Sequence, residues 1–352
     1  MGDALGMARV AAAQPAPAFL DRDRSTERVV DLIHEAGRQG AQLVAFPEGI
    51  IPAHPVWYHF QPVTGRASME MAGELFANSV EVPGETMSLL STAAAEADIT
   101  VVIGVCEKRP GTTGTMFNSQ VFIGPDGQLL GVHRKLMPTV GERIVHAGGH
   151  GDTLGVIPTG LGPISGLICG ENSNPLATHA LADLGTRIHV ASWPNHFSPH
   201  EHRMGDVVLL ASRSLAYRTG CFVLNACGTV DPEMIDRIAV TEEDRAFLKD
   251  PANSGGSCIV DPAGDVLAGP MLGDDHGVLV ADIDLDACIR QKIVHDYSGH
   301  YNRADVFTLS VDRSVPNLVE QGVTPVPGTK PSDAPPVEPE PDKPSQGEGS
   351  AG

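Results

Sequence analysis

The stretch ISGLICGENSNPL, Ile164 to Leu176, decides how the chain is read. An apolar run ends in Cys169 and is followed at once by Gly170, Glu171, Asn172 and Asn174. A cysteine that only fills space in a core does not need a polar cluster behind it. A cysteine at the tip of a strand does, because the carboxyl ends of strands are where α/β proteins assemble their sites.

Working outward, short apolar runs alternate with amphipathic segments. Residues 8–14, 41–46, 99–106, 164–169, 187–193, 221–227 and 277–283 read as strands. Residues 116–135 and 256–269 read as hairpins, the first around Pro125-Asp126-Gly127. Helices are predicted over 25–40, with Ser25 as N-cap and Gly40 near the end, and over 86–98, 176–185, about 200–219 and 284–294. Such a mixture predicts one α/β domain whose sheets are covered by helices. Segments 54–73 and 230–252 break the alternation and read as inserted loops. From residue 321 to 352 the chain is rich in proline, glycine and acids, with little to bury, and is expected to be a disordered tail.

Bulk chemistry narrows the function. The formal net charge is −20, which disfavours nucleic acid or an anionic membrane as partner, since both require basic patches. No apolar run approaches the roughly 20 residues that span a bilayer, and the first 19 residues lack a secretory pattern. The six cysteines have no short-spaced framework, so free thiols and a cytoplasmic location are expected. No CxxC pair, HExxH, GxGxxG or P-loop occurs. The run WPNHFSPHEH (193–202) carries three histidines, but Pro199 interrupts any helix that would align His196 with His200. No metal site is expected.

Three reactive side chains follow strand-like runs: Glu48 after AQLVAFP, Lys135 after QLLGVHR, and Cys169 after ISGLI. Singly, each has a plainer reading: a loop acid, a solvated base, a packing thiol. Together they make chemical sense. Thiolate is the attacking species, a glutamate can take its proton and later activate water, and a lysine can hold negative charge developing on a substrate heteroatom. Trp57, Tyr58, Trp193, Asn195 and His196 lie close to these segments and are candidates to line a pocket, while Cys221, Cys227, Cys258 and Cys288 read as packing residues.

FPEGIIPAHPVW (46–57), HRKLMPTVGER (133–143) and LICGENSNPL (167–176) resemble, in chain order, the three signatures of the nitrilase superfamily of carbon–nitrogen hydrolases. GHYNRADVF (299–307) resembles its C-terminal segment, with Ala304 where proline is common. The resemblance implies a four-layer αββα sandwich over residues 1–320. It implies a Glu48–Lys135–Cys169 triad, with Glu142 as the additional glutamate and the Gly170 N–H as a donor to the intermediate. Cys-Gly-Glu-Asn is closest to the nitrilase branch, with Gly170 in place of the commoner tryptophan. The activity implied is hydrolysis of a small-molecule nitrile to a carboxylic acid and ammonia, without a cofactor. An amidase or carbamoylase using the same triad is the alternative, and a catalytically silent oligomeric scaffold a more distant one. Homodimers and larger homo-oligomers, often spirals, are also implied, with 54–73 and 230–252 as candidate contacts.

Overall fold

The computed structural model describes residues 4–199 and 203–315. The strands are β1 (Met7–Gln14), β2 (Leu43–Ala45), β3 (Thr100–Lys108), β4 (Met116–Ile123), β5 (Leu129–Arg134), β6 (Val156–Thr159), β7 (Gly162–Ile168), β8 (Ile188–Trp193), β9 (Phe222–Cys227), β10 (Cys258–Val260), β11 (Val266–Ala268) and β12 (Gly277–Asp284). The helices are α1 (Arg22–Arg38), α2 (Arg66–Asn78), α3 (Glu85–Ala97), α4 (Pro175–Asp183), α5 (Met204–Thr219), α6 (Pro232–Ile238), α7 (Glu242–Lys249) and α8 (Asp286–Val294).

The strands form two six-stranded sheets, ordered β12-β1-β2-β3-β4-β5 and β11-β10-β9-β8-β7-β6. Alternation along the strands explains the layering, because successive side chains point to opposite faces. In the first sheet Val10, Ala12, Leu43, Ala45 and Val102 face inward and meet Ile164, Ile188, Val190, Phe222 and Leu224 of the second. Ala11, Ala13, Val44, Val101 and Ile103 face the other way and pack under Val29 and Ile33 of α1 and Leu90 and Ala94 of α3. The outer face of the second sheet packs under Val208, Leu215 and Ala216 of α5. This is the expected αββα sandwich. Strands buried on both faces read as continuous apolar runs, which is why their alternation is muted in the sequence.

Two expectations change. The N-cap of α1 is Asp21, whose side chain accepts from the Arg24 N–H, one turn before the predicted Ser25. Ser25 is buried and bonded to the Ala18 backbone instead. Segments 54–73 and 230–252 are not loops: they hold a 3-10 turn (Val56–His59), the start of α2, and α6 and α7. Trp57, Met71, Leu75, Met234, Ile235, Ile238 and Leu248 pack together there with Phe19 and Leu20. Short helices joined by Pro- and Asp-containing turns break sequence periodicity without breaking structure. The tail expected over 321–352 lies outside the described residues.

The topology sets the site. β1, β2 and β3 run parallel, as do β7, β8 and β9. β4 is antiparallel to β3 and β5 antiparallel to β4, so β2, β3 and β5 finish at one end, where β4 begins. The Glu48 N–H donates to the Trp193 carbonyl at 3.0 Å, which ties that end of the first sheet to the carboxyl end of β8 in the second.

Candidate active site

Glu48 lies three residues beyond β2, Lys135 is the residue after β5, and Cys169 the residue after β7. Lys135 is almost fully buried, which a charged lysine tolerates only with anionic partners. Its ammonium donates to Glu48 Oε1 at 2.6 Å and to Glu142 Oε2 at 2.7 Å. Asn118, the third residue of β4, bridges the same two acids, with Nδ2 donating to Glu48 Oε1 at 2.6 Å and Glu142 Oε1 at 2.7 Å. Glu142 also accepts from the Thr139 N–H at 2.7 Å, and His146 Nδ1 lies 3.2 Å from its Oε1. Glu48 Oε2 is buried and, among the described residues, has no hydrogen-bond partner. One oxygen of Glu48 is therefore tied down and the other is free for proton transfer.

Burial pushes the Glu48 carboxyl up to about 7, the nearby Glu142 charge pushes the same way, and Lys135 opposes both. Burial alone would raise Glu142 as well, but Lys135 and His146 outweigh it and hold it well below the usual carboxylate range. Burial would lower Lys135; Glu48, Cys169 and Glu142 overcome that and keep it charged. The Cys169 thiol is pushed up, by burial first and then by Glu48, so at rest it is a neutral thiol that needs a base. The two acids have diverged under one cation: Glu142 stays ionised and Glu48 is poised to exchange a proton near neutrality.

Cys169 opens a 3-10 turn (Cys169–Ser173) and has φ +53°, a left-handed conformation rare for a residue with a side chain. The chain turns sharply there, so the strand delivers the thiol to its end instead of into a face. Glu171 holds the turn. Its carboxylate accepts from the Ile168 N–H at 3.0 Å and the Leu136 N–H at 2.8 Å, and it faces His133 Nε2 at 3.1 Å. One acid thus joins the residue before the thiol to the residue after Lys135.

A cavity of about 200 Å³ opens beside Cys169, lined by Lys135, Gly170, Tyr58 and Trp193 together with His54, His59, Val140, Pro194, His196 and Phe197. His54 and His196 are neutral, since burial lowers them to about 3 and about 4. Of the residues expected to line a pocket, Trp57 and Asn195 do not. Trp57 is packed edge-on against Phe19 in the core, and Asn195 Nδ2 donates to the Thr229 carbonyl at 2.7 Å. A larger depression of about 1000 Å³, between α4, the end of α5 and residues 297–313, contains none of the reactive groups.

Glu48, His54 and Glu142 offer ligand atoms within 4.8 Å of one another. The Lys135 ammonium already bridges the two acids, so a metal ion would have to displace a charged amine. His200 and His202 lie outside the described residues, and His196 Nδ1 faces the Phe197 carbonyl. All six cysteines are free and buried. Sequence reasoning missed Asn118, His54 and His146. The signal for Asn118 was the polar trio Asn118-Ser119-Gln120 inside an otherwise apolar strand.

The family model for carbon-nitrogen hydrolases matches residues 9–292. The chain is 38% identical over 316 residues to a protein named Nitrilase 2 from an unknown prokaryotic organism, covering 89% of this chain and 95% of that protein. It is 34% identical over 309 residues to a nitrilase of Bacillus sp. strain OxB-1, covering 87% and 88%. Among solved structures, a carbon-nitrogen hydrolase from Helicobacter pylori G27 superposes with a TM-score of 0.65 at 19% identity, covering 86% of this chain and 97% of that one. The chain belongs to the carbon-nitrogen hydrolase family, on its nitrilase branch.

Proposed function

We propose that this protein hydrolyses nitriles to carboxylic acids and ammonia, with Cys169 as nucleophile, Glu48 as general base and acid, and Lys135 and Glu142 as the charged frame. The observation that carries the reading is the buried ammonium shared by two glutamates beside a buried thiol, with Glu48 Oε2 left free. The names of the similar proteins supply the nitrile.

Glu48 Oε2 takes the thiol proton as Sγ bonds to the nitrile carbon. One C–N π bond opens and the nitrogen takes that proton back from Glu48, leaving a thioimidate. Lys135 and the Gly170 N–H face the nitrogen as its charge develops. Water then gives a proton to Glu48 and bonds to the carbon. The proton passes to nitrogen, the hydroxyl proton follows it through Glu48 as the C–O double bond forms and the C–N bond breaks, and ammonia leaves a thioester. A second water, activated the same way, breaks the C–S bond and returns the proton to sulfur. The sum is one nitrile and two waters to one acid and one ammonia. A nitrile carries no charge, so a fixed cation at its nitrogen stabilises the transition state more than the ground state.

We take residues 1–320 as the hydrolase domain and assign the protein to nitrile catabolism in the cytoplasm; six unpaired cysteines fit a reducing compartment. We also propose homo-oligomers. Residues 303–310 form an exposed irregular segment that presents Val306 and Phe307 to solvent, which supports a partner surface there. Light scattering on the purified chain tests the assembly. A panel of nitriles and their matching amides, read by ammonia release with Cys169→Ala as blank, tests the activity; faster release from the amides would overturn it.

A further inference from the structure

Beneath the nucleophile lies a buried chain of side chains that the proposed chemistry does not touch. Asn172 is fully buried, and its Nδ2 donates to the Cys169 carbonyl at 2.9 Å and to the Leu167 carbonyl at 3.2 Å. Two carbonyls can only accept, so the amide orientation is fixed and Oδ1 must receive a donor. His189 Nε2 sits 2.8 Å from that oxygen and therefore carries the proton. Its Nδ1 is then a bare acceptor, and Ser165 Oγ lies 2.8 Å away to donate to it. Ser165 and His189 are register partners on neighbouring parallel strands, so the relay is built into the sheet. Burial holds His189 down to about 3, hence neutral.

The relay ends on a peptide group that matters. A trans peptide is planar, with its C=O and N–H pointing in opposite directions. Clamping the Cys169 carbonyl from below therefore aims the Gly170 N–H the other way, and that N–H opposes the upward push of burial on the Cys169 thiol. The clamp also sits on the residue with φ +53°, whose conformation costs about 1–2 kcal/mol and must be held by its surroundings.

We propose that Asn172, locked by His189 and Ser165, is the positioning residue that aims the Gly170 N–H at the reacting atoms and holds the Cys169 turn in its left-handed conformation. This rests on the nitrilase reading for its substrate but not for its geometry.

The test compares His189→Leu, which removes the donor to Asn172, with His189→Gln, whose amide can replace it. The full chain is measured for kcat, KM, melting temperature, and the rate at which iodoacetamide alkylates Cys169. The Leu variant is expected to lose about 10- to 100-fold in kcat, the scale of one misaimed backbone donor, with KM within about threefold and slower alkylation. His189→Gln should recover most of both losses. Wild-type kcat and alkylation in His189→Leu would overturn the proposal. So would equal losses in the Leu and Gln variants, which would mean packing alone. If His189→Leu does not fold, Asn172→Asp carries the comparison: its carboxylate would face two carbonyl oxygens, and unchanged kcat and alkylation there would be equally fatal. A wild-type protein inert toward nitriles would sink the functional reading, while the alkylation rates would still decide this one.

Discussion

Replacing Glu142 by glutamine tests the division of labour between the two acids. Glu142 and Glu48 offer oxygens within 4.8 Å of each other. At an effective dielectric of about 20, two unit charges at that separation repel by about 3.5 kcal/mol, equivalent to about 2.5 pH units. Lys135, bonded to both, remains and moderates the change. The sign follows from the site. The Glu142 charge helps raise Glu48 to about 7, so removing it lowers Glu48. The base acts deprotonated, so the wild-type rate should fall as pH drops through about 7. In Glu142→Gln that acid limb should move down by about 1–2 pH units. The maximal rate should also fall, by about 100-fold. A glutamine at this position meets donors on both sides, the Lys135 ammonium at one oxygen and Asn118 Nδ2 at the other, so its own amide hydrogens oppose one of them. Loss of one partner of a buried ion pair should cost about 3–5 kcal/mol of stability. The assay is ammonia release from a good nitrile substrate between about pH 5 and 10, with thermal unfolding alongside. An acid limb that stays put or moves up would refute the assignment of Glu48 as the acid raised by its neighbour.

Three other outcomes follow from the geometry. Glu48→Gln keeps an oxygen for Lys135 but loses the free base, so kcat should fall by about 10²–10⁴-fold, and a fall under tenfold would remove Glu48 as base; substrate turnover measures it. Among the described residues a Cβ at Gly170 meets no atom within 4 Å, so Gly170→Trp should fold normally and place an indole at the cavity mouth. KM should then rise for bulky nitriles more than for small ones, and an unchanged ratio across the panel would count against it. Asp21→Ala removes the α1 cap and should cost about 1 kcal/mol, lowering the melting temperature by about 2 °C with activity intact.

Much of this protein was legible along the chain. The strands around 8–14, 99–106 and 187–193 and the helices around 25–40 and 86–98 emerged from local patterning, because burial of one face or both leaves a period in the apolar residues. The helical cap formed by 56–59, α2, α6 and α7 did not, because pieces this short carry too few turns to show a period. Within the site, Glu48, Lys135 and Cys169 were marked by their place after apolar runs. Trp57 and Asn195 were misjudged as pocket residues because nearness in sequence says nothing about which way a side chain turns.

By itself the sequence determined the layered α/β architecture and the family, and it singled out Glu48, Lys135 and Cys169 as candidates. Those depend on local propensity and on short segments that each carry their own signal. Only the tertiary structure decided which Glu48 oxygen is free, that Asn118 ties Glu48 to Glu142, and that His189 and Ser165 stand under Cys169. These contacts join residues 70, 24 and 17 positions apart. The reason is physical. Proton affinity and hydrogen-bond direction in a buried site are set by what surrounds each atom in space, and two sheets packed face to face bring together groups whose spacing along the chain carries no trace of the meeting.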